Sequence, residues 1–196
     1  SVEWEKRALR SEHWESSDTI LICSLSRLET GKGLELAIDA MKFLPEHIRF
    51  FIGGDGSQFD ALKKRITDLR LDGRVQLMGW LDAKKKQDLL DIADIFCLPS
   101  SYDSFGMGFM EAMANGLPVV ALNYGPIADV VPDGRAGILV NKSSPELIAE
   151  AIKSLMDIRK RREMSLECQR WVLSQFSSEK VGMKLRQSFE GMVSLK

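Results

Sequence analysis

The sequence predicts an α/β protein built on a doubly wound parallel sheet. Short, continuous apolar runs alternate with helical patterns from Thr19 onwards, and polar turns separate them. Continuous apolar runs are typical of strands that are buried on both faces of a sheet. After Ser144 the pattern becomes wholly helical. Right-handed crossovers between such strands then give a Rossmann-like fold with extra C-terminal helices.

Each element follows from its local pattern. The predicted strands are the apolar runs at 20–24, 48–52, 75–78, 95–98, 118–122 and 138–140. The predicted helices lie near 34–43, 59–69, 84–92, 109–114, 127–131, 145–157, 161–174 and 178–193. A serine followed by proline marks the start of the helix at 145, and Gly116 marks the end of the helix before the fifth strand. The expected organisation is a lead-in helix or linker at 1–18, an α/β domain at 19–176 and a last helix at 177–196.

Composition and charge exclude several function classes. The 196 residues suffice for one compact domain. Its 27 basic and 28 acidic residues give a net charge of −1, so no electrostatic argument supports a nucleic-acid partner. No apolar run approaches the length of a membrane span. Three unpatterned cysteines and two isolated histidines predict reduced thiols, a cytoplasmic location and no metal site.

The topology predicts where a ligand would bind. In a doubly wound sheet with strand order 3-2-1-4-5-6, ligands bind beyond the carboxyl ends of strands one and four, where the order reverses. The loop after strand one is 25–33, and the loop after strand four begins at Pro99. These two loops are chemically the richest in the chain. We therefore expect the site to lie between them.

The first of these loops carries two cations, Arg27 and Lys32, beside Gly31 and Gly33. A lone arginine or lysine is usually a surface charge. Here the glycines allow the backbone to approach a ligand closely. Two cations beside a helix start suit a diphosphate, because arginine binds two phosphate oxygens at once and lysine acts as a point charge.

The second loop leads into a helix and carries two carboxylates, Asp103 before the helix and Glu111 inside it. Free N–H groups at a helix start favour an anion. Glu111 has packing residues as neighbours, and a carboxylate at this place can accept both hydroxyls of a ribose. As alternatives, Glu111 is an exposed helix residue and Asp103 is a turn or capping residue.

Two further motifs have structural explanations. Gly53-Gly-Asp-Gly56 lacks the full spacing of a dinucleotide-binding loop and is more typical of a tight turn. The basic run Arg159-Lys-Arg-Arg162 is expected to be a solvated helix junction, with a membrane-surface patch as the less favoured alternative.

Five motifs in order resemble one known family. Ser26-Arg-Leu-Glu-Thr-Gly-Lys-Gly33 is similar to its Gly-Arg-Leu-x-x-x-Lys-Gly phosphate motif, with Ser26 where glycine is usual. Residues 99–118 resemble its Pro-Ser-x-x-Glu-x-Phe-Gly-x-x-x-x-Glu-Ala-Met-Ala-x-Gly-x-Pro signature, and 52–56, 74–79 and 133–140 match further blocks. The family is the retaining GT-B glycosyltransferases related to sucrose synthase, glycogen synthase and bacterial mannosyltransferases.

The resemblance implies a C-terminal, donor-binding domain that takes a UDP-, GDP- or ADP-sugar and needs no other cofactor. Arg27 and Lys32 would neutralise the diphosphate, Glu111 would bind the ribose, and Asp103 would lie near hydroxyls of the transferred sugar. The other implied donor contacts are Gly33, Gly54, Met78, Gly79, Ser104, Phe105, Gly106, Met107 and Gly108.

The implied reaction is metal-independent transfer of a hexosyl group to an acceptor hydroxyl with retention, in polysaccharide or glycolipid synthesis. The departing diphosphate would help to take the acceptor proton. The acceptor-binding N-terminal domain is expected to be absent from this chain, which alone would have little or no activity. In the full-length protein, peripheral association with the inner face of the membrane is an option.

Other interpretations stay open at this point. Asp103 stands where the family has glutamate, and Asp129 also stands where the family more often has glutamate, so both side chains are one methylene shorter. The alternative is therefore a degenerate sugar-nucleotide-binding or scaffold module. Intact Arg27, Lys32 and Glu111 favour the enzyme. The arginine-to-lysine loop fits transferases better than a related GT-B epimerase. A response-regulator-like domain would need acidic residues where this chain has cations.

Overall fold

A computed structural model describes residues 19–102 and 106–176. The predicted lead-in segment at 1–18 and the predicted last helix at 178–193 lie outside the described residues. So do three predicted site residues, Asp103, Ser104 and Phe105.

Strands and helices alternate through most of the described chain. The strands are β1 (Ile20–Leu25), β2 (Ile48–Gly53), β3 (Val75–Gly79), β4 (Ile95–Cys97), β5 (Val119–Leu122) and β6 (Gly137–Val140). The helices are α1 (Leu34–Ala40), α2 (Phe59–Asp68), α3 (Ala83–Ile92), α4 (Met107–Ala114), α5 (Ile127–Val130), α6 (Pro145–Ser154) and α7 (Ile158–Phe176). A 3-10 turn, Met41–Phe43, extends α1.

The strands form one parallel sheet with the order β3-β2-β1-β4-β5-β6. This confirms the predicted doubly wound α/β fold and its strand order. The order reverses between β1 and β4, which pair through Ile22 with Ile95 and Cys23 with Phe96. The crevice for a ligand in this class of sheet therefore lies at the carboxyl ends of β1 and β4.

The core explains why α4 sits firmly beside that crevice. The strand residues Phe50 and Phe96 and the helix residue Phe109 are fully buried. The rings of Phe96 and Phe109 meet edge to face, with centroids 5.8 Å apart and planes at 82°. Such pairs contribute about 0.5–1.5 kcal/mol beyond their burial. This contact anchors the first turn of α4 on β4.

The junction of the last two described helices differs from the predicted one. Helix α6 ends at Ser154, and α7 begins at Ile158 rather than at residue 161. The carboxylate of Asp157 accepts a hydrogen bond from the backbone N–H of Arg159 at 2.8 Å. An aspartate that caps free N–H groups starts a helix directly after itself, so α7 begins earlier than the apolar pattern suggested.

The basic run in α7 was predicted to be a solvated helix junction, and for Arg161 this prediction is wrong. Arg159 is exposed, as a solvated junction requires, but Arg161 is only 4% exposed. Its Nη1 donates to the carbonyl of Leu155 at 2.8 Å, and its Nε lies 3.9 Å from the carboxylate of Asp94. The buried carboxylate of Asp94 also accepts the N–H of Leu21. Arg161 therefore joins α7 to the sheet and cannot belong to a surface patch.

The three cysteines are free and buried, as core thiols are expected to be. Burial raises the pKa of the Cys97 thiol to about 12, because a thiolate there would lose its hydration.

Among the helices of the described residues, none combines the length and apolarity that a membrane span requires.

Candidate functional site

A cleft of about 380 Å³ opens at the carboxyl edge of the sheet. It is lined by the loops after β1, β2 and β3, by the start of α3 and by one side chain of α4: Leu25, Ser26, Arg27, Gly53, Gly54, Asp55, Trp80, Leu81, Asp82, Ala83, Lys86 and Glu111. The structure thus brings together three of the residues that the sequence indicated, Arg27, Gly54 and Glu111. A larger cavity of about 620 Å³ lies beside α6 and α7. Of the predicted site residues that the structure describes, none lines it.

The loop after β1 is held by the loop after β2. The N–H of Ser26 donates to the carbonyl of Gly53 at 3.2 Å, and the N–H of Leu28 donates to the carbonyl of Asp55 at 2.9 Å. Leu28 itself is fully buried and anchors the loop. Arg27 lies between these two attachment points, so its Cα is fixed while its exposed side chain borders the cleft.

The glycine-rich turn at 53–56 packs closely against the backbone of neighbouring loops. A Cβ on Gly54 would lie 1.8 Å from the carbonyl oxygen of Ser26, so only glycine permits this approach. The N–H of Gly54 donates to the carbonyl of Gly79 at 2.8 Å and is already used inside the protein. The tight-turn interpretation accounts for these contacts, while Gly54 still lines the cleft.

The same loop after β1 is also joined to the loop after β4. The carbonyl of Gly31 accepts a hydrogen bond from the N–H of Ser101 at 2.9 Å. Gly33, which precedes α1, has a φ of 69°, and a Cβ on it would lie 2.0 Å from the carbonyl oxygen of Pro99. Close packing of the two loops therefore accounts for Gly33 without a ligand.

Lys32 lies at this contact between loops rather than on the wall of the cleft. Its Nζ donates to the carbonyl of Tyr102 at 3.1 Å, and Tyr102 immediately precedes the segment 103–105 that leads into α4. The structure consequently places the two predicted cations differently: Arg27 borders the cleft, and Lys32 borders the approach to α4.

Glu111 has a partner that sequence reasoning missed. Its Oε1 accepts a hydrogen bond from Nζ of Lys86 at 2.8 Å, and both side chains are a little over one third exposed. Lys86 follows Lys84 and Lys85 in a run that looks uniformly solvated in the sequence. Only Lys86 of the three is half-buried. The rotation of α3 about its axis turns Lys86 towards Glu111 on α4, and no local sequence pattern shows that rotation.

The start of α4 faces the carboxyl end of β1. Gly106 is buried at the N-cap and Met107 is exposed. A Cβ on Gly108 would lie 3.3 Å from the carbonyl oxygen of Leu25, so the first turn packs closely against the end of β1. The first N–H groups of any helix lack partners within the helix and carry its positive dipole end. This is the predicted place for the diphosphate.

Large apolar side chains lie on the β3 side of the cleft and beside it. Met78 is exposed near the end of the strand, and Trp80 is 77% exposed on the cleft wall. An exposed indole beside a cleft offers a flat surface for stacking. The sequence indicated Met78 and Gly79 here but not Trp80, whose signal was only its place two residues after the predicted strand.

A carboxylate on the loop after β1 is stabilised in its charged form. Oε2 of Glu29 accepts a hydrogen bond from Oγ of Ser57 at 2.7 Å. This bond and a second one from the Ser57 N–H hold the pKa of Glu29 below its usual value. The interaction adds a side-chain link between the loops after β1 and β2.

Comparisons with known proteins identify a family and solved structures with the same fold. The family model described as glycosyl transferases group 1 matches residues 5–168. The chain is 30% identical over 166 residues to the lipopolysaccharide core biosynthesis glycosyltransferase LpsE of Rhizobium meliloti (strain 1021). That match covers 84% of this chain and 48% of LpsE, so the chain spans about half the length of this relative.

Two solved structures have the same fold. Anabaena HepE, crystallised in complex with UDP and glucose, superimposes with a TM-score of 0.80 at 23% identity over 95% of this chain and 52% of that chain. A point mutant of S. aureus TarM, in complex with Fondaparinux, alpha-GlcNAc-glycerol and UDP, gives a TM-score of 0.77 at 26% identity. That match covers 86% of this chain and 35% of the TarM chain.

Proposed function

Because this chain belongs to the group 1 glycosyltransferases, we propose that it is the donor-binding half of an enzyme that transfers a hexosyl group from a nucleoside-diphosphate sugar. The observation that carries this proposal is the cleft at the end of β1, where a cation from one loop and a carboxylate from α4 line the same space. The acceptor is a hydroxyl group, and polysaccharide or glycolipid synthesis is the proposed context, as in the name of LpsE.

The diphosphate binds in this proposal between Arg27 and the first turn of α4. Arg27 is exposed and can form two hydrogen bonds to phosphate oxygens. Lys32 reaches the phosphates by releasing the carbonyl of Tyr102, a neutral acceptor that competes weakly with a phosphate. Gly106, Met107 and Gly108 supply backbone N–H groups and the helix dipole.

The nucleoside lies on the other side of the cleft. Glu111 accepts hydrogen bonds from the ribose hydroxyls, and the base lies near Met78, Gly79 and Trp80. We propose uracil as the base, because UDP is bound in TarM, a relative in fold at 26% identity. Asp103 is proposed to contact hydroxyls of the transferred sugar, and Ser104 and Phe105 are proposed as further donor contacts.

The proposed reaction proceeds with retention and without a metal ion. The acceptor oxygen forms a bond to the anomeric carbon on the face that the diphosphate leaves, while the bond from that carbon to the diphosphate oxygen breaks. The leaving diphosphate accepts the proton of the acceptor hydroxyl. The protein contributes position and charge: Arg27, Lys32 and the start of α4 stabilise the negative charge that grows on the leaving group.

The acceptor is proposed to bind to a separate domain of the full-length protein. This follows from the length of LpsE, of which the chain matches 48%. We accordingly expect the chain alone to bind a donor and to transfer sugar slowly or not at all. The proposed location is cytoplasmic, with or without peripheral attachment to the inner face of the membrane.

The test is calorimetric titration of the chain with UDP, GDP and ADP. We expect UDP to bind with micromolar to millimolar affinity and more tightly than GDP or ADP. Binding should be about tenfold weaker or more in Arg27→Ala and Lys32→Ala, since each removes one charge-assisted contact. Lys63→Ala is the matched control, because Lys63 is exposed on α2 and outside the cleft. Equal affinity in both variants and the wild type would contradict the assignment. A transfer assay with the full-length protein separates an enzyme from a module that only binds.

A further inference from the structure

The ion pair between Lys86 and Glu111 lies on the wall of the cleft. Nζ of Lys86 and Oε1 of Glu111 are 2.8 Å apart, and both residues line the cleft together with Arg27. Partly exposed ion pairs of this kind contribute little to the stability of a fold. Fold stability is therefore a weak explanation for placing a lysine here.

A second polar contact already holds the two helices together. One residue further along α3, Nε2 of Gln87 donates to Oδ1 of Asn115 at 2.8 Å. Asn115 caps the end of α4, four residues after Glu111, and its Nδ2 donates to the Glu111 carbonyl at 2.9 Å. The spacing of α3 and α4 thus has a support that does not involve a charge.

Lys86 leaves half of the carboxylate for a ligand. An ionised carboxylate has two acceptor oxygens. The bond from Lys86 is made to Oε1. Within 19–102 and 106–176, the structure gives Oε2 of Glu111 no protein donor. The oxygen is on a side chain that is 38% exposed at the cleft.

We propose that Lys86 is a positioning residue for ribose recognition: it holds the Glu111 carboxylate by Oε1 so that Oε2 accepts a ribose hydroxyl. This inference rests on the proposed function. The fixed carboxylate avoids the loss of side-chain freedom that ligand binding would otherwise impose on a mobile glutamate. The ammonium group also offsets the negative charge of Glu111, which lies in the same cleft as the proposed site for a diphosphate anion.

The test compares ribose with deoxyribose. The chain is titrated with whichever of UDP, GDP and ADP binds most tightly, and with the 2′-deoxy and 3′-deoxy forms of that diphosphate. In the wild type we expect removal of one of the hydroxyls to weaken binding about tenfold, the value of one hydrogen bond to a charged group. We call the Kd of the deoxy form divided by the Kd of the ribose form the ribose-to-deoxyribose ratio. In Lys86→Met this ratio should fall below about threefold, and Lys86→Arg should restore most of it.

Two controls separate positioning from other effects. Gln87→Leu breaks the neighbouring contact between α3 and α4, and it should leave the ribose-to-deoxyribose ratio within about twofold of the wild type. Glu111→Ala should abolish the ratio, because it removes the acceptor itself.

Two results would overturn the inference, and only the second would also contradict the proposed function. If Glu111→Ala abolishes the ratio and Lys86→Met keeps it, Lys86 does not position the carboxylate, and the proposed function stands. If Glu111→Ala also keeps the ratio, or if the wild type binds none of the three diphosphates, the proposed ribose site fails together with the inference.

Discussion

The N–H of Ser101 donates to the carbonyl of Gly31 at 2.9 Å, which joins the loop after β4 to the loop after β1 across the point where the strand order reverses. Oγ of Ser100 donates to the same carbonyl at 3.2 Å. These loops carry the candidate phosphate contacts. Their relative position is therefore set by direct contact between them and not only by the strands beneath.

Gly33→Ala should destabilise the chain, because its Cβ would lie 2.0 Å from the Pro99 carbonyl oxygen at a φ of 69°. We expect a loss of about 2–4 kcal/mol in the free energy of unfolding, measured in urea, since both strain and a backbone clash are introduced. Gly73→Ala is the control, because nothing lies within 4 Å of the added Cβ. Equal stability of the two variants would refute this explanation of Gly33.

Arg161→Ala should be far more harmful than Arg159→Ala, although the two arginines are two positions apart. Arg161 is buried beside the carboxylate of Asp94, and Arg159 is exposed. Removing one partner of a buried pair leaves a buried charge, which costs about 3–5 kcal/mol. An exposed arginine contributes within about 0.5 kcal/mol. Thermal unfolding of both variants checks this, and similar melting temperatures would contradict it.

The link between Glu29 and Ser57 should depend on pH in the acid range. The pKa of Glu29 is lowered by hydrogen bonds from Ser57, so the carboxylate form stabilises the fold. This contribution is fully present above the unfolded pKa and is lost as the pH falls through the lower folded pKa, which lies below 4.5. An NMR titration of the Glu29 carboxyl should show that Ser57→Ala raises its pKa towards the usual value. An unchanged midpoint would exclude Ser57 as the cause.

Trp80 should report nucleotide binding by its fluorescence. Its indole is 77% exposed on the cleft wall, and a base that stacks on it changes its environment. We expect a bound nucleoside diphosphate to quench the emission of the wild type and to leave that of Trp80→Phe almost unchanged. Trp171→Phe should keep the response, because the Trp171 indole N–H donates a hydrogen bond to the Val130 carbonyl and does not line the cleft. Full quenching in Trp80→Phe would place the base elsewhere.

The fold was predictable because its signals are local. An apolar run such as Ile95–Cys97 shows burial on both faces of a strand without knowledge of its neighbours. Alternation with helices then leaves few right-handed arrangements, and the observed strand order is the usual one of these. From that order alone, the loops that carry Arg27 and Gly106 fall at one crevice.

The sequence by itself therefore determined the fold class, the strand order and the loops that meet at the site. Only the tertiary structure decided which charged side chains form pairs, at the site and elsewhere. Lys86 and Glu111 are 25 positions apart on different helices, and Arg161 pairs with Asp94 across 67 positions. Such pairs depend on how each helix is rotated and packed on the sheet, and a charged residue looks the same in the sequence on either face of its helix.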